Sequence, residues 1–558
     1  MIRNQAWLFA WLFLAVVAAA TWPATAVDET RYLTVAWEMQ APGAWLLPQL
    51  NGEWYLQKPP LLFWLFGAGW DWFGLSVAWA RLVPIVASLL GMGLIAALAR
   101  RLWPHAEDVG RLAAILTGGT LIWALWSAAI MFDMLLAACV VAGALALHRA
   151  AGGGRTGMAA WAGFAVAVGL GALTKGPVIV LHLLPLALAG PWWSLEARAM
   201  PARWYLGLTL ALVLGIALAL AWALPAAAVA GERFGVEILW DQMARRAVQS
   251  FAHQHPWWWY LPLLPLLLLP WAAWPEWWRQ LRAALGMPEP GLKFCLSWLL
   301  AFIPFCIVSA KQPHYLLPLI PACALLIARG AATSNRMSYT GGRWLAMLPL
   351  GLLGTVLAAG DLGPEQWHGG WLSDVHPGWG IAVLAAVAWA ALPDRLTLTR
   401  AIVRIHVATV VSVALIVTAL HGSEAGRSYD TRGAAQELAR LQESGVVIAY
   451  WGEYHGQLGF NGRLKQVLPE VRDLAGLRAL VATQPAARVL VVSSRNPLIV
   501  AGAAPESAFA YRRKYWSIWS ARQLVADPVI LRLIRARPRL PQQGASGTSA
   551  ADPASAGQ

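Results

Sequence analysis

The chain has 558 residues, 59% of them hydrophobic and 13% charged, with 35 tryptophans and a formal net charge of +14. A soluble protein carries about a quarter charged residues, so this composition excludes a soluble globular enzyme, a disordered scaffold and a fibrous repeat. It leaves a polytopic helical membrane protein, and the long unbroken apolar runs exclude an outer-membrane barrel, whose strands alternate.

The first predicted element, Ala6 to Trp22, follows Arg3 and ends at Ala24-Thr25-Ala26. That ending fits a signal-peptide cleavage site or an uncleaved first span, and the polar residues directly after it favour the uncleaved span. Pro60 to Trp72 is apolar, but Asp71 and its aromatics make it an interfacial helix. Spans are predicted at Val77 to Ala99, Gly110 to Trp126, Met134 to Leu147, Met158 to Leu173 and Val178 to Trp193. Others follow at Tyr205 to Leu224, Trp257 to Trp274, Leu292 to Ser309, Tyr315 to Ala328, Trp344 to Ala359, Trp379 to Leu392 and Ile402 to Leu420. The total is about thirteen, some shorter than the ~20 residues of a straight span.

Arg100/Arg101, Arg149/Arg155, Arg198/Arg203, Arg279/Arg282/Lys293, Arg329/Arg336/Arg343 and Arg395/Arg400/Arg404 fall on alternate loops. Those loops are cytoplasmic if the N-terminus is inside, and an odd number of spans then exports the C-terminus. The basic excess is therefore loop charge, and no basic stripe with interleaved aromatics points to nucleic acid. Cys139, Cys295, Cys306 and Cys323 lie inside apolar runs without metal-ligand spacing and read as small hydrophobes.

After Leu420 the composition changes. Gly433 to Glu443 reads as a helix, Val446 to Tyr450 and Val489 to Val492 as strands, and Val471 to Val481 as a helix between them. The predicted organisation is a membrane domain over 1–425, a small α/β domain over 426–540 outside the membrane, and a disordered tail over 541–558.

Five cations break the positive-inside pattern: Lys58, Lys175, Arg245, Arg246 and Lys311. Each is costly near lipid unless it faces a polar cavity or a partner. A shared anionic ligand explains several at once, with phosphate the natural candidate. Snorkelling to lipid headgroups is the bland reading. The acidic residues on that face are Asp28 and Glu29, directly after the first span, and Asp133. A carboxylate at a membrane mouth is a site hypothesis, while for Asp133 a helix N-terminal charge is the alternative. His253 and His255 sit just before an aromatic run, with spacing that signals no defined metal class.

Five segments then carry a resemblance. They are Asp28-Glu29-Thr30-Arg31-Tyr32; Asn51-Gly52-Glu53-Trp54-Tyr55-Leu56-Gln57-Lys58-Pro59-Pro60-Leu61; Thr174-Lys175-Gly176-Pro177; His253-Gln254-His255-Pro256-Trp257-Trp258-Trp259-Tyr260; and Lys311-Gln312-Pro313-His314-Tyr315-Leu316-Leu317-Pro318. In this order they resemble the bacterial aminoarabinose (L-Ara4N) lipid A transferases, within the protein-mannosyltransferase superfamily, through Ala328. The resemblance implies an all-α polytopic membrane protein of the GT-C fold with a small periplasmic α/β C-terminal domain. It implies an inverting glycosyltransferase of the inner membrane that works on the periplasmic face. The donor is a sugar on undecaprenyl phosphate, and the acceptor is lipid A or another envelope molecule.

By the same resemblance Asp28, Lys58 and Asp133 are catalytic. It also makes Tyr32, Tyr55 and Tyr315 substrate-binding near the donor phosphate, and the charges on that face, Glu29, Lys175, Arg245, Arg246 and Lys311, are read as substrate-binding with them. His253 would hold a divalent, zinc-like metal together with the carboxylate that precedes Lys-Pro-Pro in the family. Here that position is Gln57, and a neutral amide is a poorer ligand for a hard metal, which counts against the metal and weakens the aminoarabinose assignment. Two other readings compete: a related transferase with another, mannose-like sugar for protein or envelope glycan, and a transporter of an anionic solute. The transporter should show repeat symmetry and mid-span charges, and the sequence has neither.

Overall fold

The computed structural model describes residues 5–231, 254–333, 341–360, 372, 374–392, 396–494, 496–499 and 504–535. Arg245, Arg246, His253, the loop arginines Arg3, Arg336 and Arg395, and the tail 541–558 lie outside the described residues. The chain divides into two compact units. The first comprises Met1–Arg432 with His455–Lys465, and the second comprises the rest.

The first unit is helical. Its N-terminal half runs α1 (Ala6–Thr21), α2 (Asp28–Glu38), a two-stranded hairpin β1 (Gln49–Leu50) and β2 (Glu53–Trp54), then α3 (Leu61–Phe73) and α4 (Val77–Leu102). α5 (Val109–Gly118), α6 (Leu121–Ser127), α7 (Asp133–Ala150), α8 (Gly154–Lys175), α9 (Val178–Leu188) and α10 (Pro201–Ala230) follow. Among the described residues seven helices are long and apolar enough to cross a membrane. α5 and α6 together make an eighth, bent by 71°. Further apolar helices are shorter, among them α1, α9, Arg343–Ala358 and Gly378–Ala391.

Sequence and structure part at Trp257 to Trp274, read above as one span. Here short 3-10 segments at Trp257–Leu263 and Trp271–Ala273 flank a single turn at Leu264–Leu267. Pro256, Pro262, Pro265 and Pro270 each remove a backbone donor and keep a regular helix from propagating. Pro60 to Trp72 does form one helix, α3. It buries Leu62, Phe63, Phe66 and Trp70 and leaves Trp72 85% exposed.

Local signals set the elements that carry the polar residues. The hairpin turns on Asn51 and Gly52, both left-handed (φ 56° and 80°), the conformation that Asn-Gly adopts in the tight turns matching strand twist. Glu38 accepts hydrogen bonds from both turn amides, at 2.8 and 3.3 Å, and ties the hairpin to the end of α2. α4 is capped by Ser76, whose hydroxyl accepts from the Trp79 amide. α8 ends where Gly176 turns left-handed at φ 71°.

The second unit holds a five-stranded sheet in the order β4-β3-β5-β7-β6, comprising β3 (Ile448–Trp451), β4 (Glu470–Val471), β5 (Arg488–Ser493), β6 (Ser507–Tyr511) and β7 (Lys514–Ser520). β3 pairs in parallel with β4 and β5, and the β5-β7-β6 part is antiparallel. Its core packs Val489, Val491 and Trp519 with Leu477 and Leu524 from the helices Leu474–Thr483 and Ala521–Ala526.

Candidate active site

Three segments of the first unit converge on one polar mouth. The first is the N-terminus of α2. Asp28 is exposed there and pairs with Arg31 one turn along at 3.7 Å, near the positive end of the helix dipole. Arg31 also donates to the carbonyl of His455. Tyr32 is buried, with its ring edge-on to Phe132 at 4.9 Å. Burial, then Tyr55 and Asp28 nearby, pushes its phenol well above the usual tyrosine range, so Tyr32 stays a neutral hydrogen-bonding group.

The second segment is the hairpin exit. Tyr55 is buried and its amide donates to the carbonyl of Pro48 at 2.8 Å, which fixes the path of the chain. Tyr55 and Tyr32 both lie against Phe63 of α3, at 6.2 and 6.3 Å between ring centroids. Lys58 follows at a bend after the Leu56–Gln57 turn, and Pro59-Pro60 behind it keep it out of a helix. Its Nζ lies 5.8 Å from the centroid of Phe132, one residue from Asp133.

The third segment is the meeting of α7, α8 and the Pro313–Leu319 segment. Asp133 opens α7 and Lys175 closes α8, and their charged atoms are 2.5 Å apart. Both are nearly dry, with side chains 4% and 11% exposed. Lys175 also sits over the Tyr315 ring at 4.5 Å, a cation–π arrangement. His314 Nε2 lies 3.9 Å from the same Asp133 oxygen, and its ring stacks on Trp126 at 5.1 Å. The field couples the three segments: Asp133 feels Lys58 as well as Lys175 and His314, while Tyr32 feels both Asp28 and Asp133.

The arrangement has one exposed carboxylate, one lysine at the bend before Pro59-Pro60, and a buried carboxylate–lysine pair ringed by aromatics. A mouth of this kind suits an anionic group on an apolar carrier: cations meet the anion, while ring faces exclude water and strengthen each charge interaction.

Comparison with known proteins follows from this geometry. The family described as dolichyl-phosphate-mannose-protein mannosyltransferase matches residues 57–222. An undecaprenyl phosphate-alpha-4-amino-4-deoxy-L-arabinose arabinosyl transferase 2 of Pseudomonas fluorescens is 32% identical over 334 residues, 57% of each chain. The corresponding transferase of Pseudomonas paraeruginosa is 31% identical over 367 residues, 64% of this chain and 66% of that protein. The chain thus spans about three fifths of the length of these relatives. The crystal structure of ArnT from Cupriavidus metallidurans bound to undecaprenyl phosphate superimposes with a TM-score of 0.70 at 21% identity, covering 92% of this chain and 98% of that one. Its apo state gives 0.69.

In sequence the chain is similar to these aminoarabinose transferases over part of their length, and in fold it is similar to ArnT.

Within this fold the sequence-derived site residues have different fates. Asp28, Tyr32, Tyr55, Lys58, Asp133, Lys175 and Tyr315 come together at the mouth. Lys311 is buried and donates to the carbonyls of His255 and Val308, so its ammonium fastens the loop entering the Pro313–Leu319 segment. Glu29 is buried, and both its oxygens are taken up by Arg81, Thr25 and Ile130. Two participants were missed from sequence: His314, inside a quoted segment but given no role, and Arg81. The test that singled out Lys175, a cation inside an apolar run near its non-cytoplasmic end, applies equally to Arg81.

Of the proposed metal-site residues, His253 lies outside the described residues. Gln57 is an exposed neutral amide, and among the described residues no group of three His, Cys, Asp or Glu side chains lies close enough to hold an ion.

Proposed function

We propose that the chain is an inner-membrane glycosyltransferase that moves 4-amino-4-deoxy-L-arabinose from undecaprenyl phosphate to a lipid A phosphate on the periplasmic face. The observation that carries this reading is the convergence of Asp28, Lys58 and the Asp133–Lys175 pair at one mouth of an ArnT-like fold. The names of the similar transferases supply the sugar and the carrier. The reading includes about thirteen crossings, with short and broken helices completing spans beside the long ones. It also includes division into a membrane part over 1–425 and an exported part over 426–540.

The chemistry follows from the residues. An acceptor oxygen attacks C1 of the sugar, the C1–O bond to the carrier phosphate breaks with the electron pair leaving on that phosphate, and the configuration inverts. Charge grows on the leaving phosphate, where Lys58 meets it in a site of low dielectric. C1 gains oxocarbenium character as the bond lengthens. A lipid A phosphate is already anionic, so Asp28 orients the acceptor or the sugar amine rather than taking a proton. With a hydroxyl acceptor Asp28 is the general base. Lys175, neutralised by Asp133, shapes the pocket through Asp133 and Tyr315.

A second reading is favoured by Gln57 and by the match to the mannosyltransferase family: the same reaction with another sugar and a protein or glycan acceptor. Mass spectrometry of lipid A from a host lacking its own transferase and expressing this chain tests the choice. Aminoarabinose-bearing lipid A is expected. Unmodified lipid A alongside a newly glycosylated envelope product would overturn the first reading in favour of the second.

A further inference from the structure

Glu29 and Arg81 form a closed polar latch beneath the mouth. Arg81 lies on α4, is 2% exposed, and reaches both Glu29 oxygens at 3.0 Å in a two-pronged pair. Its guanidinium also donates to the carbonyls of Ala128 at 2.6 Å and Pro23 at 2.7 Å. Glu29 in turn accepts from the Thr25 amide at 2.8 Å, the Thr25 hydroxyl at 2.9 Å and the Ile130 amide at 2.8 Å. One buried charge pair therefore binds the chain leaving α1, the first turn of α2, the loop between α6 and α7, and α4.

The sequence positions of those anchors give the latch its meaning. Glu29 directly follows Asp28, and Thr25 lies three residues before it. Ile130 lies three residues before Asp133, and Ala128 five. The two acidic groups of the mouth come from segments about a hundred residues apart, and both segments are pinned to the same guanidinium. A planar fork suits this task, since lysine cannot meet two carboxylate oxygens and two carbonyls at fixed angles. Full satisfaction of the carboxylate also means that Glu29 has no valence left for a sugar or phosphate.

We infer that Arg81 and Glu29 are positioning residues, a buried latch that sets Asp28 and Asp133 in register for the transfer step without touching substrate. The inference rests on the glycosyl-transfer reading above. It changes the role of Glu29 from ligand contact to frame, and it adds Arg81 to the functional set.

The test is turnover of purified protein, with folded fraction measured in parallel. Replacing both partners by apolar residues of similar size (Glu29→Leu with Arg81→Met) removes the pair without stranding a charge, an exchange that buried pairs often tolerate. The expected result is a folded protein whose kcat is down about 10²-fold while KM for the polyprenyl-phosphate donor stays close to wild type, because misplacing reacting groups by about an ångström costs that much. Arg81→Lys should restore part of kcat. Thr25→Val trims one hydrogen bond from the latch and answers the question if the double variant fails to fold, with kcat expected to fall about 3–10-fold. Wild-type kcat per folded molecule in the double variant, or in Thr25→Val if the double variant does not fold, would overturn the latch. A selective rise in donor KM would return Glu29 to the binding site. If the wild-type protein transfers no sugar at all, it is the transfer reading that fails, not the latch.

Discussion

Lys175→Met is the perturbation whose size the structure sets most fully. The ion pair with Asp133 is 2.5 Å long and its side chains are 11% and 4% exposed. At an effective dielectric of about 20 the attraction is about 6–7 kcal/mol before desolvation. Desolvation of both ions offsets much of that, and stranding one buried partner costs about 3–5 kcal/mol. His314, at 3.9 Å, is too distant to replace the ammonium by a direct hydrogen bond. The thermal midpoint of detergent-solubilised Lys175→Met should therefore fall by about 3–4 °C. Adding Asp133→Leu removes the stranded charge and should recover most of that loss. Turnover should not recover with it, and should stay at least ~10²-fold down, since Asp133 belongs to the mouth itself. An unchanged midpoint in Lys175→Met would refute the energetic reasoning. A double variant that is both stable and fully active would remove Asp133 from the site.

Lys58→Ala should lower kcat/KM for the polyprenyl-phosphate sugar by about 2–4 kcal/mol, with only partial rescue by Lys58→Arg; free exchange for arginine would favour headgroup snorkelling. Asp28→Asn should keep the fold and lose ~10²-fold or more in turnover, and near-wild-type turnover would strike Asp28 from the catalytic set. Burial alone would raise the pKa of Glu29, but Arg81 and the amides of Thr25 and Ile130 outweigh it and hold the carboxyl below its usual value of 4.5. A folded-state pKa below the unfolded one stabilises the protein above the unfolded value, and that stability is lost as pH falls through the folded value. Acid unfolding scans from pH 4.5 downward should therefore show a loss that the Glu29→Leu/Arg81→Met variant lacks, and parallel curves would contradict this. A reporter fused after Arg432 should be active only in the periplasm, and cytoplasmic activity would invert the topology.

Much of the helical layout was legible because apolar length is a one-dimensional signal. Val77 to Ala99 and Tyr205 to Leu224 lie within α4 and α10. Where proline density rises, as at Trp257 to Trp274, the same signal fails, since composition marks burial but not backbone continuity. In the second unit β3 and β5 were read from their apolar runs. β4 has two residues, and β6 is five residues that interleave Ser and Ala with Phe509 and Tyr511, so neither stands out without the partner it pairs with. At the mouth, Lys58 was legible from Lys-Pro-Pro, and Asp133 and Lys175 each as a charge beside an apolar run; that the two pair was not. Nor was the division of labour. Glu29 and Lys311 read in sequence as charges facing a ligand, yet they are taken up by Arg81 and by backbone carbonyls. Only three-dimensional hydrogen-bond accounting separates a charge that meets substrate from one that holds the frame.

The central claim is sugar transfer from a polyprenyl-phosphate carrier, and one measurement addresses it most directly. Purified protein is incubated with undecaprenyl-phosphate aminoarabinose labelled at C1 and with lipid A, and the product is analysed by mass spectrometry and by NMR of the anomeric carbon. The account predicts labelled aminoarabinose on a lipid A phosphate with inverted configuration, and loss of that product in Lys58→Ala. Retained configuration, or transfer undiminished in Lys58→Ala, would contradict it.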